Sequence, residues 1–289
     1  TFEPLTDPHP LADRVFQNED VRWKDVYVQY DDGVMGFRGG RITANFGRAW
    51  YAAPGLDATT LAEGYAIWDR MGISTWYRLK TIGLGTTTLG ATLFSMDTSP
   101  LSASWRNTRK RRTPEQGGLS NTDAPSSIAV SLDGSDIAAL PGFTWQLAAL
   151  EQKVDFRIDS AGQRSDHVAD EKGVTAGIQQ ILRLADRLES TTLVEASYLK
   201  DKGGIPAASG HYLTVGETLR FGQYHVQAAY TVRWLDNASA EPARDSLLAL
   251  TAGRKFTDHL SLDARWRKTR ISAATEDDFR LRLRYVIAF

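Results

Sequence analysis

Arg280, Arg282 and Arg284 recur at every second position near the end of the chain. In an extended strand, residues two apart share a face and stand about 7 Å apart. Phe279, Leu281 and Leu283 then fall on the opposite face, so a cationic rail is backed by an apolar surface. The same reading places Arg38, Arg41, Arg78, Lys80, Arg233, Arg265 and Arg267 on the polar face, with Asp263 among them and Asp133 and Glu195 across from them. Arginines facing carboxylates across water set up a transverse field that orders polar solutes and attracts anions. The competing expectation is that these arginines pair with Asp25, Asp263 and their neighbours and brace a narrow interior.

The elements that must hold these residues are strands. Leu260, Leu262, Ala264 and Trp266 alternate with polar residues, as do Val226, Ala228, Tyr230, Val232 and Trp234, and Ile128, Val130 and Leu132. No helical stripe of comparable length competes, although Thr59 to Met71 has room for a short helix. The expected strands are 21–30, 34–47, 71–80, 86–97, 126–137, 143–154, 174–185, 190–200, 210–221, 223–235, 246–255, 259–271 and 278–289. Their connections alternate: short at Asp31-Asp32-Gly33, 81–85, 138–142, Asp186, Gly222 and 256–258, long at 48–70, 98–125, 155–173, 201–209, 236–245 and 272–277. Such sorting of turns to one rim and loops to the other is the habit of a closed antiparallel transmembrane β-barrel. Thirteen strands is odd, so one upward strand is expected before residue 21, short or truncated, with Thr1 to Leu5 as its stub. That gives about fourteen strands in one domain, 1–289.

Composition narrows the choice further. Lys and Arg number 34 against 35 Asp and Glu, a net charge of −1, which gives no bulk field for nucleic acid. Hydrophobic residues make up 42%, too many for a disordered chain. Cys is absent, which removes disulfides, thiolate metal sites and a cysteine nucleophile. No run of about 18 apolar residues occurs, so helical membrane spans are excluded. There is no initiator Met and no signal peptide, so Thr1 reads as a processed or trimmed start.

The segment Arg282-Leu283-Arg284-Tyr285-Val286-Ile287-Ala288-Phe289 resembles the terminal assembly signal of proteobacterial outer-membrane β-barrels, with a final Phe, an aromatic four residues earlier and alternating apolar positions. Phe37 to Gly47 resembles an early porin strand. The resemblance implies residence in the bacterial outer membrane and a porin-like channel. Tyr30, Phe143, Phe221 and Phe289 fall beside short turns and Phe46, Trp234 and Trp266 toward long loops, as two aromatic girdles would.

On this reading the chain is an outer-membrane channel for passive diffusion of small hydrophilic solutes, with anion preference from the arginine ladder and no cofactor. The expected partners are membrane lipids, lipopolysaccharide and the solutes, with a protein partner or a second copy also open. Arg106, Arg109, Lys110, Arg111 and Arg112 form a basic loop cluster that would meet lipopolysaccharide phosphates or fold inward to constrict the pore. The alternatives are a closed structural or assembly barrel tethering a partner, and a lipid-modifying enzyme. The enzyme has little support: the nearest Ser/His pair is Ser209 and His211, and His225 and His259 start strands at the short-turn end. Two positions sit badly in the pattern. Glu217 would face lipid unless a bulge shifts the register, and Gly39-Gly40 would have to bulge for Phe37 and Ile42 both to face outward.

Overall fold

The computed structural model describes residues 2–4, 19–21, 23–103, 111–159, 161–237, 240–272 and 274–286. The strands are β1 (Phe2–Pro4), β2 (Glu19–Val21), β3 (Val26–Asp31), β4 (Met35–Ile42), β5 (Arg70–Thr81), β6 (Gly85–Met96), β7 (Ser127–Ser135), β8 (Phe143–Gln152), β9 (Arg157–Ile158), β10 (Arg164–Ser165), β11 (Glu171–Ala185), β12 (Leu188–Lys200), β13 (Ser209–Phe221), β14 (Tyr224–Asn237), β15 (Ala240–Lys255), β16 (Leu260–Ile271) and β17 (Ala274–Tyr285). Thirteen of them, β3 to β8 and β11 to β17, form one antiparallel sheet in chain order. Small pairs β1–β2 and β9–β10 stand apart from it. No described helix is long and apolar enough to cross a membrane, which leaves crossing by strands untouched.

Loop sorting survives with two corrections. The connections expected over 236–245 and 272–277 are short, because β14 reaches Asn237, β15 starts at Ala240, and only 272–273 separate β16 from β17. At the opposite rim, turn chemistry is plain. The Asp32 carboxylate accepts the backbone N–H of Met35 at 2.8 Å and of Val34 at 2.9 Å, which holds it below the usual carboxylate range. The thirteen-strand meander leaves β3 and β17 as edges running in the same direction. The β1 strand pairs antiparallel with β2, in a sheet of its own and not at either edge of the meander. Ile287 to Phe289 lie outside the described residues, and so does the expected place of Phe289 on the short-turn rim.

One face of the sheet is apolar and open. Leu281 is 75% exposed, Leu283 68% and Phe279 81%. Val226, Leu262, Ile128 and Val130 are exposed too, while Ala228 and Leu260 are half-buried. A soluble sheet would hide this face on a core; hydrocarbon is the solvent that suits it. Tyr30 and Phe221 ring its short-turn edge and Trp234 its loop edge. Phe46 does not join a girdle, since it is fully buried on the other side.

Neither expected bulge exists. Strand β13 pairs without a register shift, and Glu217 stays on the outer face, where the Ser190 and Thr192 hydroxyls donate to it at 2.6 and 2.5 Å. The β4 ladder is continuous through Gly39 and Gly40, and Ile42 is fully buried on the inner side instead of facing outward. The expected strand 34–47 ends at Ile42 because the chain turns inward there.

An arginine at Leu281, near the middle of β17, should cost about 2–4 kcal/mol if that face meets the bilayer midplane. Equilibrium unfolding of Leu281→Arg in phospholipid vesicles measures it, and a change near zero would contradict a lipid-facing belt.

Candidate functional site

Residues 43–69, expected as the end of a strand and an outer loop, lie against the inner face of the sheet. The segment is apolar for a loop, with only Arg48, Asp57, Glu63 and Asp69 charged. It contains a short helix, α1 (Ala49–Ala52), and a 3-10 turn over Ala62–Tyr65, which is the only helical structure in the stretch expected to hold a short helix over Thr59 to Met71. Phe46, Ala49, Ala53, Leu61, Ala62, Tyr65 and Ile67 pack with Ala129, Ala148, Ala229 and Ala249 of the strands into one hydrophobic cluster. The small inner residues of β7, β8, β14 and β15 make the room that the segment fills.

Three sets of fastenings hold it. At the first, the Glu195 carboxylate of β12 accepts the backbone N–H of Arg48 at 2.5 Å and of Ala49 at 2.9 Å, and the Tyr65 hydroxyl. Gly47 lies in the left-handed region (φ 72°), and a Cβ there would stand 2.7 Å from the Tyr65 ring and 2.9 Å from Glu195, so only glycine fits. The Arg48 guanidinium reaches Asp133 at 3.0 Å, Thr144 at 2.8 Å and the Trp145 carbonyl at 3.0 Å. At the second, Tyr65 stacks edge-on to Tyr212 of β13 and Lys202 donates to the Gly64 carbonyl at 2.9 Å. At the third, Asp57 accepts from Arg265 and, at 2.8 Å, from Arg280, while Leu56 N–H donates to Thr251 at 3.1 Å. One segment thus touches β7 and β17, from opposite parts of the sheet, so the sheet curls around it.

The basic residues singled out by sequence are placed as follows. Arg265, 2% exposed, pairs with Asp57 and Asp278. Arg267 pairs with Asp278 at 2.8 Å and Arg282 with Asp263 at 2.9 Å. Arg233 pairs with Asp245 at 2.6 Å, and Arg78 with Asp31 at 2.7 Å near the short-turn rim. Arg41 is buried among Asp69, Asp97 and the Trp23 carbonyl, away from Arg38, which binds the Gln29 side chain and covers the Tyr27 ring. Lys80 is exposed beside the 82–84 turn. Arg284 is exposed and makes no ion pair among the described residues. In the basic loop, Arg111 donates to the Thr98 carbonyl at 2.6 Å and the Arg112 guanidinium contacts the Met96 sulfur, while Arg106, Arg109 and Lys110 lie outside the described residues.

Two polar spaces remain on the inner side of the sheet, the first bordered by Thr43 and Asn45 of the inner segment. One, of about 340 Å³, lies under β4–β7 and includes Arg38, Asn45, Ser74, Arg78 and Asp133. The other, of about 760 Å³, opens at the short-turn rim of β13–β17. Sequence reading missed the inner segment, although its signal was present: period-two alternation stops at Thr43 and alanine-rich apolar sequence continues.

This geometry has known counterparts. The outer-membrane-expressed OmpT of Vibrio cholerae superposes with a TM-score of 0.54 at 10% identity, over 90% of this chain and 79% of that one. Its loop L8 deletion mutant gives 0.51 at 11% identity, over 90% and 78%. The fold is that of a Gram-negative outer-membrane β-barrel. Pseudomonas aeruginosa OpdK with vanillate is also matched, at a TM-score of 0.49 and 11% identity, over 98% of this chain and 82% of that one. No protein-family model and no curated protein matches the chain.

For the barrel, Glu195 is the test of how the inner segment is held. Replacing it by Leu strands two buried N–H groups and a hydroxyl, at about 1–3 kcal/mol for each unsatisfied group. Limited proteolysis of the folded Glu195→Leu protein should then cut within 48–66, where the parent resists, and equal resistance would show that the apolar contacts suffice.

Proposed function

We propose that the barrel is an outer-membrane channel, constricted by residues 43–69, for passive diffusion of small hydrophilic solutes. The carrying observation is that the inner segment is fastened by side-chain hydrogen bonds and ion pairs to the wall, with a charge-lined space of about 340 Å³ against its first residues, Thr43 and Asn45, and another of about 760 Å³ at the short-turn rim. A segment locked into the sheet ladder could not yield; one held at a few polar points leaves a narrow passage that solutes share with it. The Arg38, Arg78 and Arg282 side chains, with Asp133 and Asp263, border those spaces, and Arg233, Arg267 and Arg280 add to the polar lining, while Arg265 and Glu195 are buried in their contacts with the inner segment. Most are paired, so the ladder acts as a series of dipoles along the wall, and the surplus of positive charge that would favour anions gathers at the short-turn mouth.

In this reading the curled sheet closes at the seam between its edge strands β3 and β17. Hydrocarbon leaves no alternative for two unpaired strand edges. The short-turn rim is then periplasmic. Lipids meet the apolar face, and lipopolysaccharide meets the basic loop at 106–112.

A second reading has its own observation. The apolar packing of Phe46, Leu61 and Tyr65 is that of a permanent core, as a closed structural barrel would have. Planar-bilayer recording separates the two. A channel gives small single-channel currents with chloride favoured over potassium, and deletion of residues 49–66 raises the conductance several-fold. A silent parent protein whose deletion variant conducts would favour the structural barrel, and silence in both would end the channel reading.

A further inference from the structure

The space at the short-turn mouth has an arrangement that packing alone does not explain. Arg220, His225, Gly253, Asp263 and Arg282 stand in one row of register across β13 to β17, each directly opposite the next. Gly253 is the gap in that row. A Cβ there would lie 2.3 Å from Asp263 Oδ1 and 2.5 Å from His225 Nε2. Because it is missing, His225 Nε2 reaches over an intervening strand to Asp263 Oδ1 at 3.0 Å. The other Asp263 oxygen takes the Arg282 guanidinium at 2.9 and 3.2 Å. The carboxylate is thereby spent on two partners and nearly buried, at 5% exposure.

One row nearer the rim, Lys255, Ser261 and Arg284 are again directly opposite one another. With neighbouring strands about 4.8 Å apart, the Lys255 and Arg284 backbones stand about 10 Å apart with a serine between them. Arg284 has no ion-pair partner among the described residues, and the Lys255 partner is Asp258, itself 90% exposed. That hydrogen bond holds Asp258 below the usual carboxylate range, yet an exposed pair of this kind is worth little and exchanges readily. Four permanent cations, Arg220, Lys255, Arg282 and Arg284, thus border the space with two carboxylates, one of them already spent. Arg220 has Glu189 at 3.3 Å on its far side.

We propose that this chamber is a binding site for a small organic dianion of the dicarboxylate class, one carboxylate on Arg284, the other on Lys255, with the Ser261 hydroxyl between. A guanidinium takes a carboxylate through two parallel hydrogen bonds, and an ammonium takes the second as a point charge. Two cationic centres separated by a strand and a hydroxyl select for a second charge on the ligand. The His225–Asp263–Arg282 chain is the floor: it neutralises Asp263, which would otherwise repel the ligand, and Gly253 is the residue that allows it. A volume of about 760 Å³ suits a small molecule. The proposal deepens the channel reading by naming a solute class at its mouth, and it is tested without requiring current to flow.

Titration calorimetry on the folded protein in detergent, at low salt, with succinate and acetate as probes, is the experiment. Succinate should bind at least tenfold more tightly than acetate. Arg284→Gln and Lys255→Gln should each lower succinate affinity about tenfold or more and bring it to the acetate level. Gly253→Ala, which forces His225 and Asp263 apart, should weaken succinate several-fold; circular dichroism and gel mobility confirm that each variant is folded. Equal binding of the two probes, or succinate affinity unchanged in Arg284→Gln, overturns the site. Binding with no bilayer current would keep the site and remove the channel; current with no binding would do the reverse.

Discussion

Hydrocarbon offers no partner to a backbone N–H or C=O, and everything else in this chain follows from that. Thirteen strands in an unbroken up-and-down order let each peptide group find its partner on a neighbour close in sequence. The ladder then forces alternation: each strand shows lipid one set of side chains and the interior the other. The constraint reaches inside as well. Once residues 43–69 leave the ladder they carry their own peptide groups into a low-dielectric space. The Glu195 carboxylate and the Thr251 hydroxyl answer for several of them.

Charge inside the sheet follows the same economy. Desolvated cations are costly unless paired, and Arg265, Arg267, Arg233 and Arg282 each have a carboxylate in contact. Asp57, carried by the inner segment, gives Arg280 its carboxylate and Arg265 a second one beside Asp278. The arginines therefore fasten the interior over most of its depth. Toward the short-turn rim, where Arg284 is exposed, positive charge stays available.

The strands were legible because their signal is local: Phe279, Leu281 and Leu283 against Arg280, Arg282 and Arg284 decide a face within six residues. The sorting of most turns and loops was legible for the same reason, and it failed at 236–245 and 272–277, where polar residues near strand ends resemble loop. The polar face named by sequence is the inner face over most of its length. Its fastening was not legible. Nothing near Asp57 in sequence announces Arg265 and Arg280, and the Gly39-Gly40 pair looked like a bulge where the ladder is regular. Phe46 shows the limit well: its type suits an aromatic girdle, and only the three-dimensional path of residues 43–69 reveals that it is core. The His225–Asp263 bond was hidden likewise, since it depends on what Gly253 lacks.

The position of the inner segment in the chain also sets an order of events. It follows the fourth strand, yet Asp57 binds residues 208 and 223 positions later. Contacts so distant in sequence are slow to form, because a long loop must close first. Early in assembly the segment has its apolar side chains and nowhere to place them, and the growing sheet is hollow on one face. The Asp57 fastening cannot form until β16 and β17 are in place. A chain stopped short of β16 would therefore leave the Asp57 end of its inner segment without either arginine, and its interior less firmly filled than that of the finished barrel.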